Sequence, residues 1–260
     1  MSFTFITGAT GGIGKAFAIE LAKRGNNLFL TGRSQQKLTE LKNSLSPFNV
    51  KVITYPLDLT NQQERKEFFE YLDREKITFN RLIMVAGVDT QKPFMEYTRE
   101  KLLFQHRVNT ESVIDLTHKL VTLRKESQEI IVISSMSGAT PMPYFALYSA
   151  TKSMLINFFT ALHYELKEDG VKITTVMPGG VYTRPDIIEE IKTQGLWGKL
   201  SAKKPEFIAR KSLSKVKKNK VKYIPGFFNK LLYFILKVLP KSIALRFIAK
   251  RWKTHRKDAF

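Results

Sequence analysis

The segment Thr7-Gly8-Ala9-Thr10-Gly11-Gly12-Ile13-Gly14 constrains the fold more than any other part of this chain. It follows a β-rich run, Phe3 to Ile6, and precedes Lys15 to Ala22, where apolar residues recur at helical spacing. A chain that passes from strand through glycines into helix can bring its backbone close to a pyrophosphate. The unpaired N–H groups of the helix start then face the charge. Gly8 and Gly12 suit the tight turn, and Gly14 suits close packing of helix on strand. The spacing, Gly-x-x-x-Gly-x-Gly, is one residue longer than the common dinucleotide fingerprint. On its own it also fits an ordinary flexible turn.

The rest of the chain supplies the sheet that such a turn needs. Strands are expected at 3–7, 27–31, 51–55, 81–85, 130–134 and 172–177, alternating with helical segments. That alternation implies an α/β fold of Rossmann type, a doubly wound parallel sheet with helices on both faces. The 260 residues suffice for a single domain, placed at 1–226, with 227–260 as a C-terminal extension of basic amphipathic helices. Cysteine is absent, which excludes disulfides, thiol catalysis and cysteine-held metal. His106, His118, His163 and His255 lack metal-ligand spacing and read as structural, so no metal is expected. The first strand begins at once, which leaves no room for a cleavable signal and points to a cytoplasmic protein.

Tyr148 and Lys152 lie four residues apart on a helical stretch, Tyr148 to Lys167, and so share one helix face. A free phenol has a pKa of about 10, poorly matched to acid–base work near neutrality. A neighbouring cation favours the phenolate and lowers that value. A surface Tyr–Lys pair has the same spacing. The run Ile130-Ile131-Val132-Ile133 reads as a buried strand ending at Ser134-Ser135, and the Ser135 hydroxyl could hold a carbonyl beside the phenol. Asn109 sits in an expected helix, Lys101 to Arg124, where asparagine is a poor former and needs a reason.

With these parts in order, the chain resembles the short-chain dehydrogenase/reductase family over residues 1–185. The resemblance is carried by TGATGGIG at 7–14, Asp58 in PLDLT, Ala86-Gly87, Asn109, Ser135, YSATK at 148–152, and Pro178-Gly179 followed by Thr183. It implies that Tyr148 gives or takes the proton, and that Lys152 lowers its pKa and binds the nicotinamide ribose. It implies further that Ser135 orients the carbonyl and Asn109 holds a water in the proton relay. Gly8, Thr10, Gly12, Ile13, Gly14, Asp58, Ala86, Gly87, Pro178, Gly179, Val181 and Thr183 are the implied cofactor contacts, with Asp58 at the adenine and Thr183 at the carboxamide. One departure is Met84-Val85-Ala86-Gly87, where the family usually has Asn-Asn-Ala-Gly, asparagines that stabilise the central sheet.

The cofactor follows from charge. The second strand ends at Gly32-Arg33-Ser34, where an NAD enzyme commonly places an acid for the ribose 2′-hydroxyl. Gly32 offers no carboxylate and Arg33 offers a cation suited to a 2′-phosphate. NADP(H) is therefore preferred, with NAD(H) as the alternative and a solvated Arg33 as the plain reading.

The charge sits at the C-terminal end. Residues 199–260 hold 19 Lys or Arg and two acids, against a whole-chain net charge of +20. Lys230, Lys237, Pro240, Lys241 and Arg246 interrupt every window long enough to span a bilayer. Lysines 230, 237 and 241 form one stripe, and Arg246, Lys250, Lys253 and Lys257 another on a second helix, opposite Leu, Phe and Ile. Such helices suit an anionic membrane surface, which places the protein peripherally at the membrane inner face. The competing reading packs the apolar faces on the domain or on a second copy in a homodimer. No nucleic-acid motif accompanies the charge, and no nucleic-acid partner is expected.

Met142, Pro143, Tyr144, Phe145 and Leu147 lead into the tyrosine, and Arg184 to Leu200 would cover the substrate as a lid bearing Ile187, Ile188, Leu196 and Trp197. Such a lining suits a hydrophobic carbonyl or alcohol, an acyl chain or sterol. The expected activity is NADP(H)-dependent carbonyl–alcohol interconversion. A cofactor-sensing module or a membrane-associated scaffold without turnover are the other readings.

Overall fold

Runs such as Leu28-Phe29-Leu30 and Ile130-Ile131-Val132-Ile133 are buried throughout, as strands are when helices cover both faces of a parallel sheet. The computed structural model describes residues 1–253 and 257–258. Its strands are β1 (Ser2–Ile6), β2 (Leu28–Gly32), β3 (Val52–Pro56), β4 (Thr78–Met84), β5 (Thr90–Gln91), β6 (Gln128–Ile133), β7 (Val171–Val176), β8 (Lys222–Tyr223) and β9 (Lys257–Asp258). Seven of them form one sheet in the order β3-β2-β1-β4-β6-β7-β8, all parallel. The order reverses between β1 and β4, the switch point at which open α/β sheets bind ligands beyond their strand ends.

The helices are α1 (Gly12–Ala22), α2 (Gln35–Ser44), α3 (Gln62–Arg74), α4 (Arg99–His106), α5 (Ser112–Thr122), α6 (Ala146–Glu165), α7 (Pro185–Thr193), α8 (Gly195–Ser201), α9 (Pro205–Lys217), α10 (Phe227–Val238) and α11 (Lys241–Trp252). One apolar layer joins α1, α2 and α9 to the sheet through Phe17, Leu38 and Leu213. The opposite layer joins α3, α5 and α6 through Phe68, Leu116 and Phe159. At its centre Phe79 meets Phe5 at 5.5 Å and Phe29 at 5.7 Å, both edge to face.

The six expected strands form within a few residues of their expected bounds, and β8 adds the seventh. Two differences concern the rest. The helix expected from Lys101 to Arg124 is broken by a π turn, Arg107–Glu111, between α4 and α5. Lys257, expected on the second tail helix, lies past the end of α11. There Lys257–Asp258 pairs antiparallel with Thr90–Gln91, so strand bonds replace helical ones. His255 lies outside the described residues.

Phe29→Ala, which empties the centre of the aromatic layer, should cost about 3–5 kcal/mol of stability. Urea unfolding should show a lower midpoint at an unchanged slope, and an unchanged midpoint would contradict the packing described.

Candidate active site

Most sequence-predicted site residues lie at the C-terminal ends of the strands or in the segments that leave them, and Asn109, Tyr148 and Lys152 join them from helical segments. Gly8, at the end of β1, has φ +59, a left-handed conformation that glycine adopts without cost. Its backbone runs against the next loop, so that a Cβ at Gly8 would sit 3.0 Å from the Ala86 Cα. Gly14 is fixed by contact, since a Cβ there would fall 2.2 Å from the Gly8 carbonyl oxygen. Helix α1 therefore starts directly over the turn. Its start has no side-chain cap and no acid in the first turn, which leaves its N–H groups for an anion. Gly12 faces Thr183. Thr10 lies against Gly32, and Ile13 packs on the core.

These features fit a dinucleotide. Arg33, exposed at the end of β2, holds its guanidinium 5.7 Å from the Phe104 ring. Asp58 accepts from the Thr60 N–H and hydroxyl, 2.9 and 2.8 Å, which fixes its carboxylate after β3. Ala86 and Gly87 follow β4, and a Cβ on Gly87 would meet Lys152 Nζ at 3.0 Å and Asn109 Oδ1 at 3.4 Å. The Pro178 carbonyl accepts from the Met136 N–H, tying the segment after β7 to the one after β6. Gly179, Val181 and Thr183 continue from it toward the glycine turn. Where the family asparagines are missing at 84–85, the Thr7 hydroxyl accepts from the Val85 and Ala86 N–H at 2.9 and 3.1 Å.

Asn109 explains the π turn. Its side chain accepts from the Val88 N–H at 2.8 Å and donates to the Val88 carbonyl at 2.9 Å and to Thr151 Oγ1 at 3.2 Å. Asn109 is fully buried, so each of these bonds replaces lost water. The Ser112 N–H reaches back to the Arg107 carbonyl, and the Ser112 hydroxyl donates to the Val108 carbonyl at 3.1 Å. Thr110 does the same for His106 at 2.6 Å. From α3, buried Arg65 pairs with Glu111 of the turn and, at 2.6 Å, with Asp115 of α5.

Tyr148 and Lys152 come together on α6, the ammonium 5.6 Å from the phenol ring centre. Lys152 Nζ donates to the Ile133 carbonyl at the end of β6, 3.1 Å away. Burial pushes this ammonium down to about 8, opposed by the Asp89 carboxylate. The phenol differs from the sequence expectation. Burial raises it, Asp89 adds to the rise, and the Ser135 hydroxyl hydrogen-bonded to it works against both. Ser135 is itself oriented by the Ser137 N–H at 3.1 Å. Such a phenol keeps its proton at neutral pH, as a proton donor must. Tyr144, just before α6, has φ +64, an uncommon conformation for an aromatic residue and one that clusters at functional sites.

Sequence reasoning missed Asp89, Thr7 and Thr151. Thr7 and Thr151 lie inside the motifs already quoted, so their hydroxyls could have been found there. Asp89 had no such signal. His163, buried, bonds through Nδ1 to the Ile173 carbonyl at 3.1 Å, a structural placement.

A profile of the short chain dehydrogenase family matches residues 2–192. The very-long-chain 3-oxoacyl-CoA reductase of Bos taurus is 33% identical over 191 residues, 69% of this chain and 59% of that protein. The 11-beta-hydroxysteroid dehydrogenase-like 3 protein of Arabidopsis thaliana is 34% identical over 193 residues, 71% of this chain and 62% of its own length. The chain thus spans about three-fifths of the curated relatives it matches. Among solved structures, a 7beta-hydroxysteroid dehydrogenase superposes with a TM-score of 0.84 at 23% identity, covering 95% of this chain and 96% of that one. L-Sorbose reductase of Gluconobacter frateurii, solved with NADPH and L-sorbose, gives 0.76 at 24% identity over 86% of this chain and 95% of its own.

Asn109→Ala should cost about 1–3 kcal/mol, because both Val88 backbone groups lose their partner. Hydrogen exchange at the Val88 amide should accelerate in parallel. An unaltered Val88 amide would show that the loop is held by something else.

Proposed function

The chain belongs to the short-chain dehydrogenase family, and from that membership we propose that it is an NADP(H)-dependent reductase of hydrophobic carbonyl compounds. The observation that carries the reading is the group of Ser135, Tyr148 and Lys152 brought together at the strand ends, beside an uncapped glycine turn. When bound, the nicotinamide would supply or accept the hydride. Tyr148 holds the proton for the carbonyl oxygen. Ser135 is placed to share that oxygen, and Lys152 to hold the ribose and add positive charge near the phenol. Asn109, through Val88, keeps the loop after β4 clear of the cofactor. Positioning and general acid catalysis together are the means.

The preference for NADP(H) rests on Arg33, and a hydrophobic substrate is supported by the names of the curated relatives. The surface of the tail favours a lipid partner as well. Among the described residues no helix is long and apolar enough to cross a membrane. Yet α10 turns apolar residues outward, with Phe227, Phe234 and Val238 at 82%, 64% and 68% exposure beside exposed Lys230 and Lys237. Phe247 on α11 is 61% exposed among Arg246 and Lys250. A helix merely docked on its domain would bury that face. Apolar groups interleaved with cations suit an anionic bilayer interface.

Tyr148→Phe should lower carbonyl-dependent NADPH oxidation by about 10²–10⁴-fold while NADPH still binds; activity near the wild-type rate would refute the assignment. Arg33→Ala should weaken NADPH by about 10–100-fold and NADH little, as fits one charge-assisted contact. Equal losses for both would overturn the cofactor preference. Lys152 is charged below its value of about 8 and neutral above it. The profile of kcat/KM for reduction, which reports the free enzyme, should therefore fall as pH rises through that value. A profile flat to pH about 9.5, well past that point, would contradict the role of Lys152. Replacing Lys230, Lys237 and Lys241 by Glu should abolish sedimentation with anionic vesicles, each lost cation removing about 1 kcal/mol. Undiminished sedimentation, or a lipid-independent dimer formed through this face, would end the membrane reading.

A further inference from the structure

The segment between Val181 and Lys203 leaves the site and returns to where it started. Val181 and Lys203 form a parallel bridge. The Lys203 N–H donates to the Gly180 carbonyl at 3.0 Å, and the Tyr182 N–H to the Lys203 carbonyl at 3.2 Å. Helices α7 and α8 thus form an excursion with a stitched neck, rooted beside Thr183 and the glycine turn. What holds its outer part comes from the tail.

Two contacts do so. Asn229, in the first turn of α10, is 1% exposed in a helix otherwise made of Phe, Leu, Ile, Val, Tyr and Lys. A buried amide in such a helix is costly unless it is bonded. Its Nδ2 donates to the Ser201 carbonyl at the end of α8, 2.8 Å, and to the Pro225 carbonyl, 2.7 Å. Its Oδ1 lies close enough to Gly179 that a Cβ there would meet it at 2.9 Å. One side chain therefore touches both the end of the excursion and the segment that leads into it. Farther out, Trp197 of α8 packs edge to face on Phe228 of α10, 4.9 Å between ring centres. The Arg251 guanidinium of α11 lies over the same indole at 5.3 Å.

We infer that α10 and α11 latch the excursion over the site, with Trp197 and Asn229 as positioning residues that limit the size of the carbonyl compound admitted. The inference rests on the reading above, that this excursion covers the substrate. It makes residues 227–252 a working part of the catalytic unit rather than a detachable extension. Opening requires the indole to leave Phe228 and Arg251, and a longer substrate requires a wider opening.

The test uses the full chain as wild type, Trp197→Ala, Trp197→Phe, Arg251→Ala and the Trp197→Ala/Arg251→Ala double variant. Hydrogen exchange of peptides within 185–200 should be about tenfold faster in Trp197→Ala, the scale of one aromatic pair plus one cation over a ring. The double variant should be no faster than Trp197→Ala, because both changes remove the same contact. Trp197→Phe should restore most of the protection, and sheet peptides should not change. In turnover, the ratio of kcat/KM for long over short 3-oxoacyl thioesters should rise in Trp197→Ala. Wild-type exchange rates in Trp197→Ala, or independent effects in the double variant, would overturn the latch. Faster exchange with an unmoved chain-length ratio would overturn its role in selection. Should the wild type fail to oxidise NADPH with any of the carbonyl compounds, the proposed reaction fails, while the exchange data still decide the latch.

Discussion

The bond from Lys152 Nζ to the Ile133 carbonyl joins the catalytic helix to the end of a central strand, and the rest of the site is arranged around it. The Ser134 hydroxyl adds a second tie by donating to the Lys152 carbonyl at 2.8 Å. With α6 so placed, Tyr148 lies beside Ser135, Thr151 meets Asn109, and Asn109 in turn holds Val88. The ammonium is buried and would lose its charge easily if nothing opposed burial. The carbonyl and the Asp89 carboxylate oppose it. A cation is thereby kept beside a phenol that keeps its proton.

The fold and the site are separate consequences of different interactions. The sheet stands on two apolar layers, and those layers would form around many loop sequences. The site needs close backbone approaches that only a few positions allow, at Gly8 against Ala86 and at Gly14 against Gly8. It also needs polar side chains that bond backbone groups no strand or helix satisfies. Thr7, Asn109 and Ser112 do this within one small region. Family membership accounts for the common frame. The tail helices, and the way α8 rests on them, distinguish this chain.

Much of this was legible in the sequence because it follows from short-range pattern. Strand runs, the glycine turn and the Tyr148–Lys152 spacing are local, and each appears where the pattern placed it. The π turn was not legible, since the periodicity from Lys101 to Arg124 runs across it without a breaker and its cause, the reach of Asn109 to Val88, is tertiary. The direction of the phenol shift was hidden for a like reason. Spacing tells that a cation is near, whereas burial, which outweighs it here, depends on everything packed around the ring. Nor did the lysine stripes tell which face of α10 looks outward. The buried side turned out to be marked by Asn229, and the apolar residues that pattern alone would send inward are exposed.

The central claim is that the fold holds the Tyr148 phenol protonated beside a buried ammonium, poised to give its proton to a carbonyl oxygen. Carbon-13 NMR of the protein labelled at tyrosine Cζ reads that protonation directly, with the Tyr148 resonance assigned by its loss in Tyr148→Phe. The account predicts that this resonance stays at its phenol position beyond pH about 10, the ordinary tyrosine value. A phenolate shift centred well below pH about 10 would contradict it.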